Sequence, residues 1–286
     1  MKQLRFFFFM IAIMTLTAPS TLFAAASPPT KSEATWRQRV STGTDVTSED
    51  IAEEIRFGRE VAARVVARYG LSEDARLMKY VNLVGKALAL STNRQEIDFR
   101  FGVLNTAEIN GYAAPGGYVF VTKGAIDNMQ DESELAGVLA HEMAHITERH
   151  VVKDLNIKAS DDSASSGLAR VIGGSTEVAR SAFSQMVDKA VDTLFKDGYR
   201  REDETQADKD AVLTCAFAGY DPSALVRYFE RLSAAKGKQT EVLDKTHPSY
   251  ETRIAWLKGV IADGNIDPAA YKTNKDRFEN VVKVTK

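Results

Sequence analysis

Two histidines, His141 and His145, lie four residues apart inside a stretch whose sequence predicts a helix. Apolar residues recur at helical spacing from Asp131 to Val152, with Asp131 placed to cap the first turn and Glu134 at the reciprocal position. Positions four apart on a helix differ by about 40° around its axis, so both imidazoles project from one face. The two rings are therefore directed at a single point in space.

The residue between them adds a carboxylate. Glu142 lies about 100° from His141 and about 60° from His145 around the helix, so it reaches a water held by the rings but is poorly placed to be a ligand itself. Two histidines and a carboxylate base are what metal-assisted hydrolysis of an amide bond requires. The alternative is an amphipathic helix with two incidental histidines. On the same continuous helix His150 would face the opposite side, so we interpret it as a surface or capping residue.

Two histidines hold zinc poorly, and a third ligand is expected from a later helix. Glu204 and Asp208 are four apart and share a helical face, so Glu204 is placed to bind the metal while Asp208 accepts the free ring N–H of a histidine ligand. Small Ala207 lets two helices approach closely. Glu202 is the rival ligand, and an acidic solvated helix face is the alternative without a metal.

Three segments of the sequence together resemble the HtpX and CAAX-prenyl-protease family of zinc endopeptidases, above all its soluble periplasmic branch. They are His141-Glu-Met-Ala-His145-Ile-Thr-Glu-Arg-His150, Arg201-Glu-Asp-Glu204-Thr-Gln-Ala207-Asp208 and Asn110-Gly-Tyr-Ala-Ala-Pro-Gly-Gly-Tyr-Val-Phe-Val-Thr122. The resemblance extends from about residue 47 to about residue 260. Members of that branch continue into a helical-repeat domain, for which we expect no counterpart in this chain.

The resemblance implies one Zn²⁺ per chain, held by His141, His145 and Glu204, with Glu142 as the catalytic residue. It assigns Asp208 as a proton donor, whereas the spacing argument favours Asp208 as the acceptor that orients a histidine.

The same resemblance implies two further features of the site. Thr246-His247-Pro248, followed by Arg253, matches a family segment in which the histidine approaches the metal. There His247 acts either as a gating fourth ligand or, like Arg253, as a group that stabilises the oxyanion. The strand containing Pro115-Gly116-Gly117 matches the edge of the cleft, where an extended substrate adds by β-pairing.

Periodicity and turn signals predict an α+β fold of the zincin type, mostly helical, with a small antiparallel sheet beside the helix of the two histidines. Predicted strands are 97–101 and 118–121. Residues 156–180 are predicted to form a solvated loop, with a flap over the active site as the alternative. The other predicted helices are 47–69, 73–90, 181–195, 202–218, 222–235 and 248–261.

The first 26 residues have the organisation of a cleaved secretory signal peptide. Lys2 and Arg5 form its positive end, an apolar run of about 11 residues is too short to span a bilayer, and Ala24-Ala25-Ala26 supplies small residues for cleavage. We therefore expect a periplasmic protein with a flexible leader at 27–45, a metallopeptidase domain at 46–262 and a C-terminal tail at 263–286.

Charge and cysteine content narrow the function classes. With 37 Lys plus Arg against 39 Asp plus Glu, the net charge of −2 gives no basic footprint for nucleic acid. Cys215 is the only cysteine, so no internal disulfide forms, and its apolar helical surroundings predict a buried structural thiol.

The expected partners are polypeptide substrates, and envelope-assembly proteins are a further prediction. A periplasmic chaperone or quality-control binder with a latent, gated zinc site is the competing hypothesis.

Overall fold

The computed structural model describes residues 46–157, 177–234 and 241–282. Most of these residues are helical, and three short strands form one small sheet. The predicted α+β class is therefore confirmed. The predicted signal peptide and leader, and most of the predicted loop at 156–180, lie outside the described residues, and the predicted division into domains stays a prediction.

The helical segments are numbered in chain order. They are α1 (Ser48–Tyr69), α2 (Ala75–Ala89), α3 (Lys123–Asp127), α4 (Glu132–Thr147), α5 (His150–Asp154), α6 (Glu177–Asp192), a π-helical turn (Thr193–Asp197), α7 (Arg201–Ala218), α8 (Ala224–Ala234), α9 (Glu241–Thr246), α10 (Tyr250–Asp263), a 3₁₀ turn (Pro268–Ala270) and α11 (Lys275–Val282).

Local side chains fix the ends of the first two helices. Before α1, the Thr47 hydroxyl accepts a hydrogen bond from the Asp50 backbone N–H at 3.1 Å, and the Asp50 carboxylate accepts one from the Thr47 N–H at 3.0 Å. This reciprocal pair satisfies backbone donors that the first turn leaves unpaired. Gly70 ends α1 at a φ of 70°, and Asp74 caps α2. Both helices lie within about two residues of their predicted bounds.

The sheet contains β1 (Arg100–Leu104), β2 (Gly111–Ala114) and β3 (Tyr118–Thr122), in the order β1-β3-β2. The predicted turn joins β2 to β3 as an antiparallel hairpin, with Gly116 and Gly117 at φ values of 73° and 100° that favour glycine.

The first strand differs from its prediction. β1 pairs with β3 in parallel, so the sheet is mixed rather than wholly antiparallel. It also begins three residues later than predicted, because residue 97 closes a turn on the Arg94 carbonyl. Ile97 and Phe99 alternate as a strand does, but they pack into the core before the strand pairing begins.

Helix α4 occupies the centre of the fold. It contacts α7, α8, α2 and both strands of the β2–β3 hairpin, and all its residues from Glu132 to Ile146 are buried. Asp131 caps it as predicted, accepting from the Glu134 N–H at 3.0 Å, whereas the Glu134 carboxylate accepts from Gln130 rather than from Asp131. Because α4 is enclosed on every side, its polar residues must find partners inside the protein.

The predicted continuous helix from Asp131 to Val152 is wrong. Helix α4 ends at Thr147, Arg149 adopts a left-handed conformation with a φ of 58°, and α5 starts in a new direction at His150. This conformation is unfavourable for a residue with a side chain. It is supported from α1, where the fully buried Glu54 carboxylate lies 3.0 Å from the Arg149 guanidinium.

The remaining helices complete the core around α4. Ala207, completely buried, faces the contact between α7 and α4, and Cys215 is buried as predicted. Near the C-terminus α11 packs on α2 and α4 through Phe278, which has no exposed surface. Within the described ranges, no helix combines the length and apolarity needed to cross a membrane.

Candidate metal centre

The two histidines of α4 converge as their spacing predicts. The Nε2 atoms of His141 and His145 lie 3.2 Å apart, and the side chains are only 3% and 2% exposed. Burial, followed by the nearby Arg253 charge, lowers the pKa of His141, and burial lowers that of His145 well below its ordinary value. Both rings are therefore neutral at pH 7, which is the form that binds a metal.

Glu204 on α7 meets these rings. Its two carboxylate oxygens lie 3.6 Å from His141 Nε2 and 3.5 Å from His145 Nε2. The side chain is 1% exposed, and neither oxygen has a hydrogen-bond partner among the described residues. Burial raises the pKa of Glu204 well above its usual range. Glu202, the rival predicted ligand, is exposed to solvent and lies outside this cluster.

The spacing of these donors matches a tetrahedral zinc site. Bonds of about 2.0–2.2 Å at tetrahedral angles put neighbouring ligand atoms roughly 3.4 Å apart. The two imidazole nitrogens are 3.2 Å apart, the His145 nitrogen is 3.5 Å from Oε1 of Glu204, and the His141 nitrogen is 3.6 Å from Oε2. A divalent cation between them would bind both imidazole lone pairs and compensate the charge of the Glu204 carboxylate. Two nitrogens and one carboxylate with a fourth position left open also form the donor set of a hydrolytic zinc site.

Asp208 lies behind His141, one helical turn after Glu204. Its Oδ1 atom is 3.0 Å from His141 Nδ1, so the ring N–H points at the carboxylate and the Nε2 lone pair points at the cluster. Arg253 of α10 donates to both oxygens of Asp208, at 3.0 and 2.6 Å. Burial opposes the charge of Asp208, but Arg253 and the N–H of His141 together outweigh burial and hold the pKa of the carboxyl well below its usual value.

Glu142 lies on the cleft side of the cluster, against the start of β2. A side-chain carbon at Gly111 would come within 2.5 Å of a Glu142 carboxylate oxygen, so the glycine leaves room for the carboxyl group. Burial raises the pKa of Glu142 to about 8, partly offset by Arg253. A divalent cation bound beside Glu142 would lower this pKa and keep the carboxylate ionised. His141, Glu142 and His247 also offer donor atoms within 4.8 Å of one another.

His247 approaches the cluster from the segment between α9 and α10. Its Nε2 atom lies 3.7 Å from a Glu204 oxygen, and its ring centroid lies 5.8 Å from that of His141. Thr246, immediately before it, packs tightly on Gly198, where a side-chain carbon would meet the Thr246 carbonyl oxygen at 2.1 Å. The fold therefore brings together the residues of the predicted site, namely His141, Glu142, His145, Glu204, Asp208 and His247.

The sequence interpretation of His150 is wrong. The histidine is buried, 3% exposed, and its Nδ1 atom lies 2.9 Å from Nδ1 of His145. The turn at Arg149 redirects the chain, so His150 returns to the side of the site instead of facing away. Tyr199 covers another face of His145, with ring centroids 3.8 Å apart and planes 15° from parallel. Neither contact follows from helical spacing, because both depend on bends at residues 149 and 198.

A small pocket of about 20 Å³ opens next to Glu142. Its far wall is apolar, and its near wall is formed by the site residues His141, Glu142, His247 and Arg253. The apolar wall consists of Ile109, Ala125, Val138, Leu225, Phe229 and Leu243, with the ring of Tyr228. Gly111, the first residue of β2, also lines the pocket, so the pocket lies beside the β2 edge of the sheet.

Comparison with known proteins identifies the family. Residues 75–261 match Peptidase family M48. The beta-barrel assembly-enhancing protease of Escherichia coli (strain K12) is 27% identical over 215 residues, covering 72% of this chain and 43% of that protein. Metalloprotease YcaL of the same strain is 26% identical over 211 residues, covering 74% and 77%. The mitochondrial metalloendopeptidase OMA1 of Schizosaccharomyces pombe is 28% identical over 218 residues, covering 74% and 62%.

The chain spans less than half the length of the beta-barrel assembly-enhancing proteases that it matches. The family match itself covers more than half of the chain, and it agrees with the family predicted from the three motifs. The chain therefore belongs to peptidase family M48.

Proposed function

We propose that this chain is a zinc-dependent endopeptidase with one Zn²⁺ per molecule, held by His141, His145 and Glu204. The observation that carries the proposal is the buried Glu204 carboxylate, whose two unpartnered oxygens face two neutral imidazoles at 3.5 and 3.6 Å. A buried carboxylate without hydrogen bonds is costly unless a cation compensates its charge.

Zn²⁺, when bound, lowers the pKa of a water from about 15.7 to about 7 and polarises a carbonyl oxygen. Glu142 takes the proton of the attacking water and passes it to the leaving amine. Asp208 keeps His141 in the tautomer that binds metal; its bidentate contact with Arg253 favours this role over that of a proton donor. Because the Arg253 guanidinium is already hydrogen-bonded to Asp208, His247 is better placed than Arg253 to stabilise the oxyanion.

The substrates that we propose are misfolded or unassembled proteins of the cell envelope. The apolar lining of the pocket beside Glu142 favours an apolar side chain, and β2 is the edge strand along which an extended segment would pair. A folded protein buries most of its large apolar side chains and pairs most of its extended segments within its own sheets. The relatives named for beta-barrel assembly support an envelope role, with envelope-assembly proteins as further partners.

We propose a periplasmic location, reached through cleavage of the signal peptide after the alanine cluster ending at Ala26. The composition of residues 1–26 supports this proposal. Amino-terminal sequencing of the protein from the periplasmic fraction tests it, with a first residue near Ser27 as the expected result. An intact Met1 in the exported protein contradicts it.

The activity is tested with the purified protein after signal removal and unfolded casein as substrate. Cleavage is expected to stop when zinc is chelated and to return when zinc is restored. Glu142→Gln is expected to retain zinc but to lose at least about 100-fold in kcat, since general-base catalysis contributes about 10²–10⁴-fold. The matched control is Glu148→Gln, which changes a partly exposed residue at the end of the same helix. This variant is expected to keep wild-type activity. Full activity of the Glu142 variant refutes the proposed mechanism.

A second pair of variants tests the third ligand. Glu204→Gln removes the buried charge, whereas Glu202→Gln changes an exposed residue two positions earlier on α7. The first is expected to lose stoichiometric zinc binding in equilibrium dialysis and the second to keep it. Equal zinc binding by both variants excludes Glu204 as a ligand.

The position of His247 favours one alternative, a quality-control binder whose zinc site is latent. A fourth ligand at that position closes the coordination site that water needs, and His247 Nε2 already lies 3.7 Å from Glu204. Under this alternative the wild-type protein suppresses aggregation of unfolded casein without cutting it, and His247→Ala cuts it. Under the first proposal the wild-type protein cuts casein and His247→Ala is slower.

A further inference from the structure

His150 lies within a chain of polar groups that leads from the buried metal centre to the exposed side chain of Arg200. On one side its Nδ1 atom lies 2.9 Å from Nδ1 of His145. On the other side its Nε2 atom faces Oδ1 of Asp203 at 3.6 Å. Asp203 is 7% exposed, and Arg200 donates to both of its oxygens at 2.9 and 3.1 Å. The chain therefore runs from the Arg200 guanidinium through the Asp203 carboxylate and the His150 imidazole to the His145 imidazole.

The direction of the hydrogen bond between the two imidazoles follows from the groups at its ends. If His145 Nε2 binds metal, the neutral ring carries its proton on Nδ1 and donates it to His150 Nδ1. The Asp203 carboxylate, 3.6 Å from His150 Nε2, is too far for a hydrogen bond but favours the N–H of His150 on that facing nitrogen. His150 Nδ1 is then an acceptor, and it must receive the N–H of His145 Nδ1. His145 Nε2 is left with its lone pair, and this is the atom that lies 3.5 Å from Glu204. The reverse direction would place an N–H on Nε2 and prevent it from binding metal.

We propose that His150 and Asp203 are positioning residues that hold His145 in its metal-binding tautomer and orientation. This inference rests on the proposed zinc centre. The two histidine ligands are then oriented by different means: His141 by a carboxylate in direct contact, and His145 through a second imidazole. The stacked ring of Tyr199 restricts rotation of His145 on another face.

The chain offers an internal comparison that supports this assignment. Asp208 contacts His141 at 3.0 Å and is itself held by a buried arginine, Arg253. Asp203 is likewise held by an arginine, Arg200, but the ring of His150 lies between Asp203 and His145. His150 therefore transmits to His145 the orienting effect that Asp208 exerts on His141 directly.

The test is the zinc dissociation constant, measured by competition with a chromophoric chelator. His150→Phe fills a similar volume but cannot accept a hydrogen bond, and zinc binding is expected to weaken about 10–100-fold. His150→Gln has a side-chain oxygen that accepts from His145, so it is expected to recover much of the loss. Asp203→Asn leaves the histidine in place and is expected to weaken zinc binding less than His150→Phe.

Val151→Ala is the matched control, because Val151 is buried in the same short helix but has no polar side-chain atom. Thermal unfolding of each variant in excess chelator separates fold damage from metal binding. A merely structural role lowers the melting temperature of the metal-free protein and leaves the zinc dissociation constant at the control value.

Three results overturn the inference. The first is wild-type zinc affinity in His150→Phe. The second is a zinc affinity that is weakened equally in His150→Gln and His150→Phe. The third is a zinc affinity that is weakened as much in Val151→Ala as in His150→Phe. If His150→Phe does not fold, Asp203→Asn decides, and wild-type zinc affinity in that variant overturns the inference. Failure of the wild-type protein to bind zinc is a different outcome, because it refutes the proposed function itself.

Discussion

The buried ion pair between Asp208 and Arg253 ties α7 to α10 beneath the metal centre, and it yields a quantitative prediction. The two side chains are 1% and 3% exposed, and their contacts measure 2.6 and 3.0 Å. Asp208→Asn leaves the guanidinium buried without a charge partner, which costs about 3–5 kcal/mol of unfolding free energy. For a protein of this size each kcal/mol corresponds to about 2–4 °C, so the melting temperature should fall by about 6–20 °C.

The assay is thermal unfolding in excess chelator, so that loss of metal does not contribute. The matched control is Glu230→Gln, which breaks the 2.8 Å contact with Lys258 on the surface, where the side chains are 49% and 59% exposed. That variant should lose at most about 1 kcal/mol. Adding Arg253→Met to Asp208→Asn should recover part of the stability, because the unpaired charge is removed. Equal stability of Asp208→Asn and Glu230→Gln refutes the reasoning.

Three further predictions concern pH, specificity and metal. Burial raises the pKa of Asp210 to about 7 against 3.8 in the unfolded chain. The carboxyl group therefore stays protonated to higher pH in the folded protein than in the unfolded chain, and the folded protein loses stability as the pH rises from about 4 to above 7. In chemical denaturation, Asp210→Asn should be more stable than wild type by up to about 4 kcal/mol at pH 8.5 and equally stable at pH 3. Ala125→Val narrows the pocket beside Glu142 and should lower kcat/KM for peptides with a bulky apolar residue by about tenfold or more relative to alanine peptides; an unchanged ratio excludes the pocket as a specificity site. Saturating zinc should raise the melting temperature of the metal-free protein by about 8–16 °C, since ligand at about 1,000 times Kd adds about 4 kcal/mol, and no shift contradicts specific binding to the folded state.

Helical spacing explains why much of the site was predictable from sequence. His141 with His145, and Glu204 with Asp208, are each four residues apart, and the geometry of a helix fixes their common face whatever surrounds it. The hairpin was predictable for a similar reason, since the glycines at 116 and 117 occupy backbone conformations that few other residues adopt.

Contacts between distant segments explain what the sequence did not reveal. The left-handed Arg149 is supported by Glu54, which lies on α1, far earlier in the chain, so no local signal marks the end of α4 there. The position of His150 depends on that bend. The parallel pairing of β1 with β3 likewise joins two strands that are separated in sequence by the whole of β2, so no local pattern marks it.

The most direct test of the central claim is anomalous scattering at the zinc edge from a crystal of the protein after signal removal. The expected result is one zinc peak per molecule, within about 2.0–2.2 Å of His141 Nε2, His145 Nε2 and a Glu204 oxygen. A zinc-saturated crystal without a peak between these three side chains, or with its only peak elsewhere, contradicts the metal centre and the peptidase mechanism built on it.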